Sequence, residues 1–243
     1  MRLMPDDAAR PDYPPSWYAA SLPPLAPRAP LRGHARADVA VLGAGYTGLT
    51  AALALAEKGY RVTVLEAERV GWGASGRNGG QALVGYGCDL HTLESLLGHD
   101  DARLLFEFSR EGLRRLRQRI ARHGIDCDWR DGHASVPIRS RQERALRADM
   151  ETLARRYDYP LQWWDRAQLR QVLASDRYRG ALYDPGSGHL HPLAYAQGLA
   201  RAAEAAGATV HEHSPVQRLE RGARPLLHTA QGKVEADFVV LAG

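Results

Sequence analysis

The stretch Asp38–Glu66, DVAVLGAGYTGLTAALALAEKGYRVTVLE, decides the fold. Val39-Ala40-Val41-Leu42 is a short, β-branched apolar run of the kind that forms a buried parallel strand. It leads into Gly43-Ala44-Gly45-Tyr46-Thr47-Gly48, a G-x-G-x-x-G. A helical pattern follows with Leu49, Leu53 and Ala56 on one face, and it stops at Gly59. Val62-Thr63-Val64-Leu65 reads as a second strand ending in Glu66.

Each piece has a physical job. Gly43 permits a tight turn, Gly45 lets backbone approach a pyrophosphate, and Gly48 lets helix and strand pack closely. The helix start offers free N–H groups and a positive dipole end to phosphate. Glu66 lies 66 − 43 = 23 residues beyond the first glycine, where an acid can accept hydrogen bonds from ribose hydroxyls. The glycines alone are a weak signal. Strand, glycines, helix, strand and terminal acid together predict dinucleotide binding.

Working outward, Val70–Gln81 (VGWGASGRNGGQ) holds five glycines in twelve residues and no periodicity. Such a loop exposes backbone N–H groups, and Ser75, Arg77 and Asn78 add donors suited to phosphate or to the edge of a flavin ring. A simple nicotinamide domain continues in short βα steps. Here roughly 100 residues of other structure intervene before the nucleotide fold resumes near residue 185, which favours a flavin domain with a substrate domain threaded through it.

The 243 residues are 44% hydrophobic and 25% charged, a globular composition. Net charge is +4, Lys58 and Lys233 are the only lysines, and the arginines are interspersed with acids, so nucleic-acid binding is not indicated. Cys88 and Cys127 show no C-x-x-C spacing, and Cys127 between Asp126 and Asp128 reads as a packing residue. No apolar run reaches the ~18 residues of a membrane span. The N-terminus lacks a signal-peptide pattern, so a cytoplasmic location is expected. His189-x-His191 and His211-x-His213 lack nearby carboxylates or Cys at ligand spacing, and no metal site is expected.

Four segments are expected. An extended arm covers 1–36, and an FAD-binding domain begins over 37–88. An inserted substrate or cap domain occupies 89–184, and the FAD-binding domain resumes over 185–243. The arm carries eight of the fourteen prolines, with Trp17 and Tyr18 as an anchor. In the insertion, Asp100 or Asp101 caps a long helix with Leu104, Leu105, Phe108, Leu116 and Ile120 inward. Arg114, Arg115, Arg117, Arg119 and Arg122 lie mostly on its solvated side. Ser140-Arg141-Gln142-Glu143 reads as a capping box and Asp165-Arg166-Ala167-Gln168 repeats the signal. Trp163-Trp164 reads as core or domain seam. Residues 181–191 read as strand, turn and return strand, and Pro192 opens a helix closed by Gly207. Short strands follow at 209–211 and 216–219, a hairpin pairs Leu226–Thr229 with Gly232–Glu235, and Phe238–Leu241 is a further buried strand.

The two glycine segments together resemble the FAD-dependent oxidoreductases of the D-amino-acid oxidase and glycine/sarcosine oxidase type. Ser16–Ala20, Ile125–Asp128, Ala174–Tyr178 and Gly188–Pro192 resemble the branch of that family that oxidises γ-glutamylated putrescine. The resemblance implies a glutathione-reductase-type, Rossmann-like α/β FAD domain with an inserted α+β domain. It also implies that the chain is the N-terminal portion of a longer enzyme. It places Glu66 and Ala67 at the adenosine ribose, and Gly43, Gly45, Tyr46, Thr47 and Gly48 at the pyrophosphate. Ser75, Gly76, Arg77, Asn78, Gly79, Gly80 and Gln81 run beside the isoalloxazine, Val216 meets the adenine, and Ala242-Gly243 closes over the cofactor. The implied reaction is FAD-dependent oxidation of a small primary amine, with O₂ or another electron acceptor; no catalytic residue is assigned. A sibling enzyme acting on sarcosine, glycine or proline, and an inactive nucleotide-binding fragment, are the alternatives.

Overall fold

The computed structural model describes residues 13–243, so the first twelve residues of the expected arm lie outside the described residues. The chain divides into two compact units. The first holds residues up to Gly79, Arg122–Cys127 and His191–Gly243; the second holds Gly80–Ala121 and Asp128–Leu190.

The first unit is built on a six-stranded sheet. Its strands are β1 (Gly33–Leu42), β2 (Val62–Leu65), β7 (Thr209–His211), β8 (Arg218–Glu220), β9 (Leu226–His228) and β10 (Gly232–Leu241), in the order β7-β2-β1-β10-β9-β8. β7, β2, β1 and β10 run parallel; β10, β9 and β8 form an antiparallel meander. Helix α2 (Tyr46–Ala56) and helix α7 (Pro192–Ala205) pack together, burying Leu49, Ala52, Leu53 and Ala56 with Leu193, Leu199, Ala200 and Ala203. β1 shows why the run was legible: Val39, Ala40 and Val41 are all buried, as a strand covered on both faces requires. A second cluster joins Leu31, Ala37, Ala40, Leu65, Leu227, Val234 and Ala236.

Two expectations for this unit need correction. Phe238–Leu241 continues β10 rather than forming its own strand, and it is not buried: Phe238 is 69% and Leu241 68% exposed. β9 covers only Lys233–Glu235 of that edge, so the outer edge beyond Glu235 has no strand beside it among the described residues. Trp17, in the short helix α1 (Trp17–Ser21), is 78% exposed rather than buried as an anchor. Tyr18 docks instead, its ring edge-on to His191 at 5.0 Å.

The second unit carries a sheet of β3 (Gln81–Ala82), β4 (Arg130–Ser135), β5 (Gln162–Trp164) and β6 (Ala181–His189), all antiparallel to β6. Its helices are α3 (Leu90–Leu97), α4 (His99–His123, whose last two residues belong to the first unit), α5 (Ser140–Arg156) and α6 (Arg166–Arg170). β6 is one strand, not two. Asp-Pro-Gly-Ser-Gly does not turn the chain, because β4 flanks β6 on one edge while β3 and β5 share the other. Pro185, which has no N–H to donate, sits where β4 skips register between Asp131 and His133. The glycines serve close approach: a Cβ at Gly188 would lie 2.5 Å from the Arg130 carbonyl, and one at Gly186 would strike the Tyr159 hydroxyl.

In α4 the buried residues are Ala102, Phe106 and Leu113, whereas Leu104 and Phe108 are 52% and 58% exposed; the expected inward face was rotated. Asp100 and Asp101 lie inside the first turn rather than capping it. Arg117 leaves the solvated run: its guanidinium sits over the Trp129 ring at 5.0 Å and bonds Asp131 at 2.7 Å. The cap of α5 is shifted by one residue, with the Gln142 side chain accepting the Arg139 N–H at 2.9 Å. Asp165 and Gln168 cap α6 reciprocally, as the sequence predicts. Trp164 stacks on Tyr183 at 4.0 Å, and Arg147 lies 3.9 Å from the Trp163 ring centroid.

Candidate functional site

The glycine turn sits at the C-terminal tip of β1, and its backbone defines the site. Gly43 has φ +101°, and a Cβ there would lie 2.7 Å from the Ala242 carbonyl oxygen. The tip of β10 therefore lies directly against the turn, held by the Ala242 N–H donating to the Leu42 carbonyl at 2.8 Å. A Cβ on Gly48 would strike the Gly43 carbonyl and approach Val41 Cγ1 at 3.2 Å, which is the close helix–strand packing expected of it. Gly45 is the N-cap of α2 and supplies no side-chain acceptor. The Tyr46 N–H donates to Ser75 Oγ at 3.0 Å, joining the first glycine segment to the second. Thr47 is exposed at the helix start. Glu66 reaches back to the same turn: one carboxylate oxygen accepts the Ala44 N–H at 2.6 Å and the other the Glu68 N–H at 3.0 Å.

The second glycine segment is ordered by its own side chains. Ala74–Gly76 makes one 3₁₀ turn. Asn78 Nδ2 donates to the carbonyls of Ser75 at 3.0 Å and Ala74 at 3.2 Å, and lies 3.5 Å from the Tyr46 hydroxyl. Arg77 places its guanidinium 4.8 Å from the Trp72 ring and donates to the Gly73 carbonyl at 3.3 Å. The Tyr46 hydroxyl donates to the Pro192 carbonyl at 3.0 Å, and burial pushes its pKa up to about 12. It is a neutral hydrogen-bonding group at ordinary pH. Arg77, Asn78 and Gly79 remain exposed at the surface of this unit.

The structure thus brings together Gly43, Gly45, Tyr46, Gly48, Glu66, Ser75, Asn78, Ala242 and Gly243. Gly76 packs its backbone onto the Gly71 carbonyl within the same loop, and Ala67 is exposed between Glu66 and Glu68. Val216 lies with the Leu31–Leu227–Val234 cluster. Gly80 and Gln81 belong to the second unit, where the Gly80 carbonyl accepts the Leu190 N–H at 2.9 Å and Gln81 pairs with His189.

Two features of the first unit escaped the sequence reading. His191 is the N-cap of α7: its Nδ1 accepts the Ala194 N–H at 3.1 Å, so Nε2 carries the proton and donates to Ser21 Oγ at 3.0 Å. Pro192 and Gly207 signalled that helix, but not its cap. The other is a buried ionic cluster that pins the arm. Glu212, fully buried, accepts from Arg69 Nε at 2.9 Å and from the Arg28 N–H at 2.7 Å, while Arg28 pairs with Glu204 at 2.6 Å. Tyr13 closes it, donating to the Val70 carbonyl at 2.9 Å, accepting from Gln197 at 2.6 Å, and raised to about 12 chiefly by burial. Nothing in local sequence pairs residues so far apart. Among the described residues no helix is long and apolar enough to cross a membrane, and no group of three or more His, Cys, Asp or Glu could hold a metal ion.

Comparison with known proteins bears on this geometry. Residues 38–243 match the family described as FAD dependent oxidoreductase (DAO). The chain is 43% identical over 228 residues to a protein named gamma-glutamylputrescine oxidoreductase from Escherichia coli, a match covering 94% of this chain and 54% of that one. Among solved structures, glycine oxidase from Geobacillus kaustophilus superposes with a TM-score of 0.66 at 25% identity, covering 86% of this chain and 55% of that one. L-amino acid deaminase from Proteus vulgaris shares the fold with a TM-score of 0.72 at 24% identity, covering 90% and 50%. The chain spans about half the length of the curated relatives it matches. With a parallel sheet, a glycine turn and an acid at the tip of β2, and a family match from Asp38 onward, the chain belongs to the FAD dependent oxidoreductases of the DAO family.

Proposed function

We propose that this chain contributes the dinucleotide-gripping portion of a flavin amine oxidase acting on γ-glutamylputrescine. The observation that carries the reading is the 43% identity, across 94% of the chain, to the Escherichia coli protein of that name. The residues present fit FAD. Gly43 and Gly48 let the β10 tip and α2 close on the turn with no side chain between, and α2 opens there with no side-chain acceptor from its N-cap Gly45. Thr47 and the α2 N–H groups hold the pyrophosphate, Glu66 and Ala67 border the ribose, and Val216 meets the adenine. Ser75, Gly76, Arg77, Asn78 and Gly79 border the flavin, and Ala242-Gly243 closes over the cofactor.

Glu66 already holds the turn through Ala44, so its remaining lone pairs can accept ribose hydroxyls without rearrangement. Ser75 fixes the start of α2 through the Tyr46 N–H, keeping both glycine segments in register. FAD, when bound, supplies the two-electron oxidation that turns the amine into an imine, which water hydrolyses to aldehyde and ammonia while O₂ becomes hydrogen peroxide. The chain's own groups bind and orient; none is assigned to acid–base work.

The test has two arms. FAD titrated into the purified chain is expected to bind with quenched flavin fluorescence, and Gly45→Asp is expected to abolish binding. Peroxide release by the enzyme is expected with γ-glutamylputrescine and not with sarcosine, glycine or proline. Activity on those amino acids alone would favour the second reading, a secondary-amine or amino-acid oxidase, which the 25% identical glycine oxidase supports.

A further inference from the structure

Helix α4 carries two apolar faces, and only one is used inside the fold. Ala102, Phe106 and Leu113 are buried, while Leu104 and Phe108 point to solvent on the opposite side. At 3.6 residues per turn, Asp101, Leu104, Phe108, Gly112 and Arg115 share one stripe about 80° wide. All five are exposed. Asp101 makes no ion pair among the described residues. Arg115 shares the single carboxylate of Glu111 with Arg114, at 2.6 Å each, so this end of the stripe keeps an excess of positive charge.

Two exposed apolar residues are ordinary on a protein surface. The order of the stripe is not. If the helix is turned end for end about a two-fold axis through Phe108, residues whose numbers sum to 216 meet. Phe108 then faces Phe108, Leu104 faces Gly112, and Asp101 faces Arg115. The large side chain meets the residue that has none, and the acid meets the base. The two helix dipoles also run opposed.

We propose that α4 pairs antiparallel with α4 of a second copy of this chain, with Phe108 on the two-fold axis and Asp101–Arg115 ion pairs at both ends. Every contact then occurs twice, as an isologous interface requires. One helix pair buries less than ~1,200 Å², so the dimer is a weak one whose ionic ends are screened by salt.

Sedimentation velocity of the purified chain, with and without FAD, over about 5 to 100 µM is expected to show a monomer–dimer equilibrium that weakens with added NaCl. Phe108→Glu is expected to leave only monomer. Asp101→Arg and Arg115→Asp are each expected to weaken the dimer about tenfold, and the double variant to recover to within about threefold of the parent. In a Cys88→Ser background, Phe108→Cys is expected to crosslink with a short bismaleimide, while Arg114→Cys, on another face of the helix, is not. A monomer throughout the range, a dimer indifferent to Phe108→Glu, or additive rather than compensating charge reversals would overturn the pairing.

Discussion

Gly48 and Gly45 differ in what their missing side chains would meet, and so in what substitution does. A methyl on Gly48 strikes the backbone carbonyl of Gly43, which cannot move without displacing the whole turn. Gly48→Ala is therefore expected to cost more than about 3 kcal/mol, or to prevent folding, as read by urea unfolding. At Gly45 the obstacle is Ser75 Oγ at 2.9 Å, a group that can rotate away at the cost of its bond from the Tyr46 N–H. Gly45→Ala is expected to fold with a loss of about 1 kcal/mol. Glu66 belongs to the same scale. Its two bonds to Ala44 and Glu68 are made without any cofactor, so Glu66→Ala is expected to lower stability by about 2–3 kcal/mol in the FAD-free chain. An unchanged melting temperature would show that the acid serves only a ligand.

Among the elements, those with purely local rules were legible. β1, α2 and β2 follow from an apolar run, three glycines and a second run; α7 follows from its Pro and Gly. The rest depended on partners distant in sequence. Asp184-Pro185-Gly186 satisfies turn chemistry, and Asp184 does accept the Gly186 N–H at 2.8 Å, yet β4 pairs with Asp184 and the strand continues, the same carboxylate also binding Tyr159 and Ser187. The face of α4 was misjudged because Leu104 and Phe108 match helical spacing as well as Phe106 and Leu113 do; only packing decides between them. Of the candidate site, the glycines and Glu66 were legible, whereas the His191 cap was not. His191→Ala is expected to destabilise the chain by about 1 kcal/mol through the lost cap of α7, and His191→Asn to restore most of it. The α3–α4–α5 junction titrates. Glu94 accepts from Tyr157 at 2.5 Å, and that bond, with those from His99 and Arg156, lowers its pKa from 4.5 to about 2. Because the folded value is depressed, the stabilisation is complete above about pH 4.5 and is lost as pH falls towards 2. Urea midpoints at about pH 6 and about pH 3 are expected to fall further for the wild type than for Glu94→Gln.

For the molecule as a whole, the first unit is closed by residues far apart in the chain. Glu212→Ala removes the buried carboxylate that Arg69 Nε and the Arg28 and Val70 backbone N–H groups share, and is expected to cost about 3–5 kcal/mol and lower the melting temperature by about 10 °C. Arg28→Ala is expected to be milder and to free the arm, seen as faster limited proteolysis between Tyr13 and Leu31. The pairing of β1 with β10 carries a consequence for how the protein is made. Gly33 lies beside Gly232, so the earliest strand to leave the ribosome waits for one synthesised about 200 residues later. At ordinary translation rates that interval is roughly ten to forty seconds, with an apolar strand edge uncovered throughout. Nascent chains stalled before residue 232 are accordingly the species on which a holding chaperone would act, and release of that chaperone should coincide with the emergence of β10.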